Sequence, residues 1–352
     1  MSAQLQPRLS GMVRRRVALL GTGTVGKALL ARWGRLQRTA SLGDLALCEV
    51  RNTRQRWNAN AGLDASAWVA TAPMPVGEER FDISRLGEGG IVIDATASDE
   101  TAAQHAAWLS AGLRIVTANK AGIGGEFARY RAIARHAERY GDSATVGAGL
   151  PLLRCLRELR EGGDEILAIA GVLSGSLAWL FHAYDGMRPF SALVREAARL
   201  GYTEPDARLD LSGEDVRRKL LILARAAGAA LEPSQVRVES LVPSALGACC
   251  PRDVDANLHL LDPALRSRFQ AAHRLGRRLR FVARFDSQGA RLGLEALAPD
   301  DPLALGGGCD NRVAIWSSRY RERPLVIQGP GAGAEVTASA LIDDALRLAR
   351  RP

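Results

Sequence analysis

The sequence predicts a mixed α/β fold: a doubly wound parallel sheet of the Rossmann type, followed by an α+β domain. Three observations lead there. Short apolar runs alternate with helical stretches over roughly the first 146 residues, a glycine-spaced turn follows the first run at once, and beyond Pro151 the alternation gives way to amphipathic helices and later strand-like runs. The chain has 352 residues, 47% of them hydrophobic, which suits two domains with cores of their own at roughly 150 residues per domain.

Residues 1–13 read as a loose polar leader. Val13–Leu20 then reads as a buried strand, Lys27–Arg35 as a helix and Leu45–Val50 as a second strand. Gly90–Asp94 and Leu113–Thr117 are further apolar strands, with an alanine-rich helix, Thr101–Ala111, connecting them. In the second domain Leu152–Glu161 is helical, while Ile166–Leu173, Leu279–Phe285 and Arg312–Ile315 are strand-like. Leu325–Gln328, the glycine turn Gly329–Gly333 and the helical run Val336–Arg350 repeat the strand, turn, helix order. The expected division is 14–146 and 147–324, with 325–352 returning to the first domain.

Composition excludes several classes. The net charge of +9 comes from 47 basic and 38 acidic residues, but the arginines are interspersed with carboxylates, as in Leu153–Glu161, so they describe a solvated surface and not a nucleic-acid site. The longest uncharged run, Ile166–Phe181, falls short of the roughly 18–20 residues a membrane span needs, and Ser174, Gly175 and Ser176 interrupt it. Arg14–Arg16 before Val17–Leu20 imitate a signal peptide, an impression that Lys27 and the following glycines spoil. The five cysteines have neither disulfide-framework nor metal-ligand spacing, which suits a cytoplasmic protein with reduced thiols.

Gly21, Gly23 and Gly26 form G-x-G-x-x-G directly after a strand, with Thr24 and Val25 opening the helix. The first glycine permits the tight turn, the second lets a pyrophosphate approach the backbone and the third lets helix and strand pack closely; the helix N-terminus offers amides to the phosphates. In that context the motif points to a dinucleotide cofactor. An acid for the ribose belongs near the end of the second strand, where Glu49 lies, but Arg51, Arg54 and Arg56 follow it. If the strand ends at Val50, Arg51 sits where a 2′-phosphate would be, which favours NADP over NAD; a solvated arginine-rich loop is the alternative.

Only three of the 47 basic residues are lysines: Lys27, Lys120 and Lys219. Where arginine serves as the general surface cation, a lysine marks a place that needs a compact ammonium of tunable acidity. Lys120 closes Val116-Thr-Ala-Asn-Lys120 at the carboxyl end of a strand, where open α/β sheets bind ligands. Glu204, Asp206 and Asp210 lie on a loop suited to a substrate ammonium. Asp215 and Lys219 share a helix face at i,i+4, with Arg217, Arg218 and Arg225 placed on the opposite, wet face. Ser212 and Asp215 also fit a helix-capping box, which would be a purely structural use of Asp215. An ammonium in a dry site can meet the alkoxide that develops when a carbonyl is reduced, and deliver its proton. The histidines at 105, 136, 182, 259 and 273 stand singly and read as packing or solvent-facing residues. These residues leave open a small-aldehyde or keto-acid reductase and a catalytically silent dinucleotide-binding regulator.

From about Val17 onward the chain resembles the homoserine dehydrogenase family. The likeness is carried by the glycine turn, Val92-Ile-Asp-Ala-Thr-Ala-Ser98, Val116–Lys120, Thr145-Val-Gly-Ala-Gly-Leu-Pro151, Gly171-Val-Leu-Ser-Gly-Ser176 and Gly201–Lys219. Over Thr145–Arg225 it is similar to the dehydrogenase half of bifunctional aspartokinase–homoserine dehydrogenases; neither kinase activity nor feedback inhibition by threonine through a domain after Arg350 is expected. The resemblance implies NAD(P)-dependent interconversion of L-aspartate 4-semialdehyde and L-homoserine in threonine and methionine biosynthesis. It implies Lys219 as proton donor, Asp215 as its partner and Lys120 as a second active-site lysine. Glu204, Asp210, Ser174 and Gly175 match substrate-binding positions, and Thr96, Ala97, Thr117, Lys120 and Gly331 match cofactor contacts. It further implies a monovalent cation, usually sodium, on backbone carbonyls of Ser143, Val146, Ala148 and Leu150, and a homodimer formed through the substrate domain. Ala207 and Leu209 depart from the family pattern, removing one carboxylate from the substrate loop, and Ala121–Gly125 is unusually rich in glycine.

Overall fold

The computed structural model describes residues 14–68, 72–76 and 81–351; the expected leader lies outside them. Two compact units emerge. The first contains the chain up to Asn119, Ile133–Asp142 and the C-terminal stretch from Ala338; the second contains Lys120–Ala132 and Ser143–Thr337.

The first unit holds β1 (Arg15–Leu20), β2 (Leu45–Arg51), β3 (Gln55–Asn58), β4 (Met74–Pro75), β5 (Ile91–Asp94), β6 (Arg114–Thr117) and β7 (Tyr140–Gly141), in the order β4-β3-β2-β1-β5-β6-β7. β2, β1, β5, β6 and β7 run parallel, as the alternating pattern predicts. Val17–Leu19, Ile91–Ile93, Ile115 and Val116 are wholly buried, the uninterrupted apolar signature of strands covered on both faces. The helices Thr24–Arg38 and Asp99–Ser110 supply the connections. β3 and β4 extend the sheet antiparallel, which the sequence did not reveal. The reversal is local: the Asn52 side-chain oxygen accepts the backbone N–H groups of Arg54 and Gln55, both at 2.8 Å, and so turns the chain back after β2.

The second unit is built on β8 (Ile166–Val172), β9 (Val236–Val238), β10 (Arg278–Asp286), β11 (Gly289–Leu297), β12 (Asp310–Ser317) and β13 (Leu325–Pro330), in the order β13-β12-β8-β10-β11-β9. Every pairing is antiparallel except that of β11 with β9. Ala170, Val172, Val282 and Ala314 come together in one apolar cluster with Leu303 and Ala304. The uncharged run is a strand followed by a helix: β8 ends at Val172, and the Ser174 hydroxyl accepts the N–H of Leu177 to cap Gly175–Ala183. Among the described residues no helix is long and apolar enough to cross a membrane. Because Leu325–Pro330 pairs with β12, the chain rejoins the first unit only from Ala338.

The helix Glu214–Ala226 starts after Gly213, whose φ of +78° is a left-handed turn that favours glycine. The capping box does not form. Ser212 Oγ accepts the N–H of Glu214 instead, which leaves the Asp215 carboxylate for other partners. The wet-face assignment holds for Arg217 and Arg218, which bind Glu214, but not for Arg225. Arg225 is 1% exposed, because the last turns of this helix are buried all round.

Candidate active site

In the first unit the glycine loop has the shape its spacing predicts. Gly21 has φ +100°, and a β-carbon on Gly26 would fall 2.0 Å from the Gly21 carbonyl oxygen, so helix and loop touch through backbone. A β-carbon on Gly23 would meet nothing within 4 Å, leaving open space in front of the helix that begins at Thr24, whose N-terminus has no side-chain cap. An anionic pyrophosphate fits that space and those amides. The loop is tied to the end of β2: Gly21 N–H donates to Arg51 O at 2.8 Å, and Asn52 Nδ2 donates to Thr22 Oγ1 at 2.9 Å. Arg51 is the last residue of β2, while Glu49 is 5% exposed. Burial pushes the Glu49 carboxyl up, against the opposing pull of Arg51, Arg85 and Arg56.

Beyond β5 a buried polar network shapes the second loop. Asp94 Oδ1 accepts the N–H of Thr96 at 2.9 Å and its hydroxyl at 2.7 Å, while Oδ2 lies 3.0 Å from Asn119 Nδ2 and 3.1 Å from His105 Nε2. His105 Nδ1 in turn is 3.0 Å from the Tyr140 hydroxyl. Asp94 and His105 are fully buried, so this network sets the course of Thr96–Ser98 from below. Thr117 is also fully buried, its hydroxyl on the Asp94 carbonyl, so it has no side-chain atom to offer a cofactor. The lone carboxylate closing an otherwise apolar strand was the signal for this network; His105 read only as a packing residue.

In the second unit the two lysines meet one carboxylate. Lys219 Nζ lies 2.8 Å from Asp215 Oδ2, and Lys120 Nζ lies 3.3 Å from Asp215 Oδ1. Lys219 is 8% exposed and donates a second bond, at 2.8 Å, to the carbonyl of Leu173. Partial withdrawal from water works to raise the Asp215 pKa; the two ammonium groups, Lys219 ahead of Lys120, overcome it and hold the carboxyl well below its usual range. The Leu173 carbonyl was invisible in the sequence, since any residue carries one.

Close by in the chain, Asp210 is held by two donors: Ser176 Oγ at 2.8 Å on Oδ1 and the backbone N–H of Glu204 at 2.9 Å on Oδ2. Ser174 Oγ lies 2.9 Å from Ser176 Oγ, so a hydroxyl chain leads from the start of the helix Gly175–Ala183 to Asp210. Asp210 itself sits in a short helix, Arg208–Leu211, and not in a loop. Asp206 departs from the sequence reading. Arg208 clamps both of its oxygens, at 3.0 and 2.7 Å, so it is a structural carboxylate and not a ligand for an ammonium. Leu209 is 61% exposed and fills no core position.

Ser143, Val146, Ala148 and Leu150 lie on a bend where Gly147 (φ +75°) and Ala148 (φ +51°) are both left-handed, a rare conformation for alanine. Gly331 cannot carry a side chain, since a β-carbon would fall 1.8 Å from Asn311 Oδ1; Asn311 is fully buried with neither amide atom partnered. Among the described residues no three His, Cys, Asp or Glu side chains could hold a metal ion together.

A homoserine dehydrogenase model matches residues 151–346, and a model of the homoserine dehydrogenase NAD-binding domain matches residues 21–146. The chain belongs to the homoserine dehydrogenase family. Members of this family are oxidoreductases with a Rossmann-like NAD(P)-binding domain. The homoserine dehydrogenase of Saccharomyces cerevisiae is 32% identical over 354 residues, 95% of this chain and 98% of its own length. The bifunctional aspartokinase/homoserine dehydrogenase 2 of Escherichia coli is 42% identical over 351 residues, 95% of this chain but 43% of its own, so the chain spans less than half of that relative. A hyperthermophilic archaeal homoserine dehydrogenase in complex with NADPH shares the fold, with a TM-score of 0.71 at 20% identity over 95% of this chain and 97% of that one.

Proposed function

We propose that this chain interconverts L-aspartate 4-semialdehyde and L-homoserine with NADP, in the supply of threonine and methionine. The observation that carries the reading is the pair of lysines on Asp215, one of them buried. The reduced nicotinamide, when bound, supplies the hydride. Gly21, Gly23, Thr24, Val25 and Gly26 would hold its pyrophosphate, Arg51 its 2′-phosphate, and Thr96 and Ala97 further parts of the dinucleotide.

The chain's own residues then have defined tasks. An ammonium has three N–H donors. On Lys219 one is given to Leu173 O and one to Asp215, leaving the third for the aldehyde oxygen, to which it passes a proton as charge develops. Asp215 keeps that ammonium charged and aimed. Lys120 shares the same carboxylate and adds positive potential. The carboxylates of Glu204 and Asp210 would take the substrate ammonium, with Asp210 held in place by Ser176. Microscopic reversibility gives the oxidation of homoserine, in which the neutral amine of Lys219 takes the hydroxyl proton and becomes the ammonium again.

Carbonyl oxygens suit a hard cation, and the segment bends where Gly147 and Ala148 are both left-handed; we assign a sodium site to the carbonyls of Ser143, Val146, Ala148 and Leu150. We also assign a homodimer and, with all five cysteines unpaired, a reducing compartment such as the cytoplasm. The deciding experiment is turnover of homoserine by the purified protein with NADP and NAD in parallel. Homoserine-dependent reduction of NADP is expected; turnover of unrelated alcohols but not homoserine would replace this reading with that of another reductase, prompted by Leu209.

A further inference from the structure

Arg225 is a buried cation that the chemistry above does not use. Its guanidinium donates to Ile123 O at 2.7 Å through one arm and to Leu231 O at 2.7 Å through the other, with Nε also on Leu231 O at 3.2 Å. All of these acceptors are neutral carbonyls. The guanidinium carbon lies 5.5 Å from the Phe127 ring centre and 5.1 Å from that of Tyr130, so two aromatic faces replace the water that burial removed. Burial pulls its pKa down to about 10, which leaves it charged at neutral pH. Glu232 works to keep it charged, but every group it is bonded to is a neutral carbonyl, and a charge buried at such cost calls for a use.

Three of its four partners lie on one segment, and the fourth, Leu231, follows the end of its own helix. Ile123, Phe127 and Tyr130 all belong to Lys120–Ala132, which departs from the parallel-sheet unit to join the second. Gly124 N–H donates to Lys120 O at 2.7 Å, Arg129 donates to Ala121 O at 3.2 Å, and the Tyr130 hydroxyl donates to the backbone carbonyl of Arg225 itself at 3.2 Å. Glu232, next to Leu231, accepts the N–H of Phe127 at 2.9 Å. The glycines after Lys120 allow close approach: a β-carbon on Gly124 would come within 3.2 Å of Ile222 on the helix that carries Asp215 and Lys219. Ten residues after Asp215 on that helix, Arg225 is about 15 Å along the axis and cannot touch the reacting groups.

We propose that Arg225 is a positioning residue: by clamping residues 121–130 onto the helix Glu214–Ala226 it holds the Lys120 ammonium on Asp215. The inference rests on the reading of Lys120 as an active-site lysine, and its test has a readout that does not.

With three lysines in the chain, reductive methylation with ¹³C-formaldehyde gives one dimethyl-lysine NMR signal each for Lys27, Lys120 and Lys219, besides the amino terminus. Lys120→Arg assigns one signal, and Asp215→Asn shows where that signal falls when the ion pair is lost. In Arg225→Met the Lys120 signal is expected to move toward its Asp215→Asn position while the exposed Lys27 signal stays put. Homoserine turnover should fall by about tenfold to a hundredfold, the scale of an ångström's misplacement. The same substitution made on Lys120→Met should cost little further. Arg225→Lys retains the charge but not the two-armed span, and it serves if the methionine variant does not fold. A Lys120 signal unmoved in the folded variant overturns the clamp, as does an undiminished loss in the Lys120→Met background. If instead Lys120→Met itself turns over normally, the role of Lys120 fails while the NMR signal still decides the clamp.

Discussion

Lys219 Nζ lies 2.8 Å from Asp215 Oδ2, one helical turn away, on a side chain that is itself almost fully buried. An i,i+4 pair on a wet helix face contributes only tenths of a kcal/mol. Here the lysine has left water and been given a carbonyl as its second acceptor, which fixes the direction of its remaining proton.

Lys219→Ala should therefore lower kcat for homoserine oxidation by about 10²- to 10⁴-fold, the usual worth of a positioned proton donor. NADPH binding, followed by fluorescence titration, should be unchanged, because the glycine loop belongs to the other unit. Turnover near the wild-type rate would remove the lysine from the chemistry.

Asp215 also predicts a pH dependence of stability. Its carboxyl titrates well below the ordinary value of 3.8, so its contribution is present above that pH and is lost as the pH falls toward the folded-state pKa. Denaturant melts of wild type and Asp215→Asn should differ at pH 6 and draw together progressively as the pH falls below 3.8. Parallel curves across that range would mean that the lysines do not hold the carboxylate charged.

Gly23→Ala separates fold from cofactor. A β-carbon there meets nothing, and the backbone φ of −70° suits any residue, so the melting temperature should not change. NADPH affinity should fall by at least about tenfold, because the methyl occupies the approach of the pyrophosphate. Gly26→Ala, with its 2.0 Å clash, should instead impair folding, visible as loss of soluble protein.

Arg51→Ala should lower kcat/KM with NADP by about 10- to 100-fold, the worth of one hydrogen bond between charged groups, and leave NAD nearly untouched. An equal loss with both cofactors would assign Arg51 to the strand end alone.

His105→Leu leaves Asp94 and the Tyr140 hydroxyl short of a buried partner, at an expected cost of about 1–3 kcal/mol in urea melts. Since Asp94 also holds Thr96, the KM for NADP should rise with it. A variant that is destabilised but keeps its KM would confine the network to packing.

How much of this could be read from residues alone varies with the range of the interaction. The glycine loop, the parallel strands and the Asp215–Lys219 pair are encoded within a few positions of one another, and spacing reveals them. Asp206 illustrates the limit. In the chain it looks equivalent to Glu204 and Asp210, yet Arg208, two residues away, folds back over it. The antiparallel β3–β4 extension was hidden for a similar reason, since its cause is one asparagine side chain at a turn.

The sequence by itself determined the fold class, the dinucleotide loop and two of the three lysines as the groups to watch, because strand and helix periodicity, glycine geometry and residue choice are local properties. Only the tertiary structure decided that Lys120 and Lys219 share one carboxylate, that Leu173 offers its carbonyl to the second of them, and that Arg225 faces inward. Those contacts join segments far apart in the chain. Which side chain loses water, and to whom it then turns, is settled when the segments close on each other.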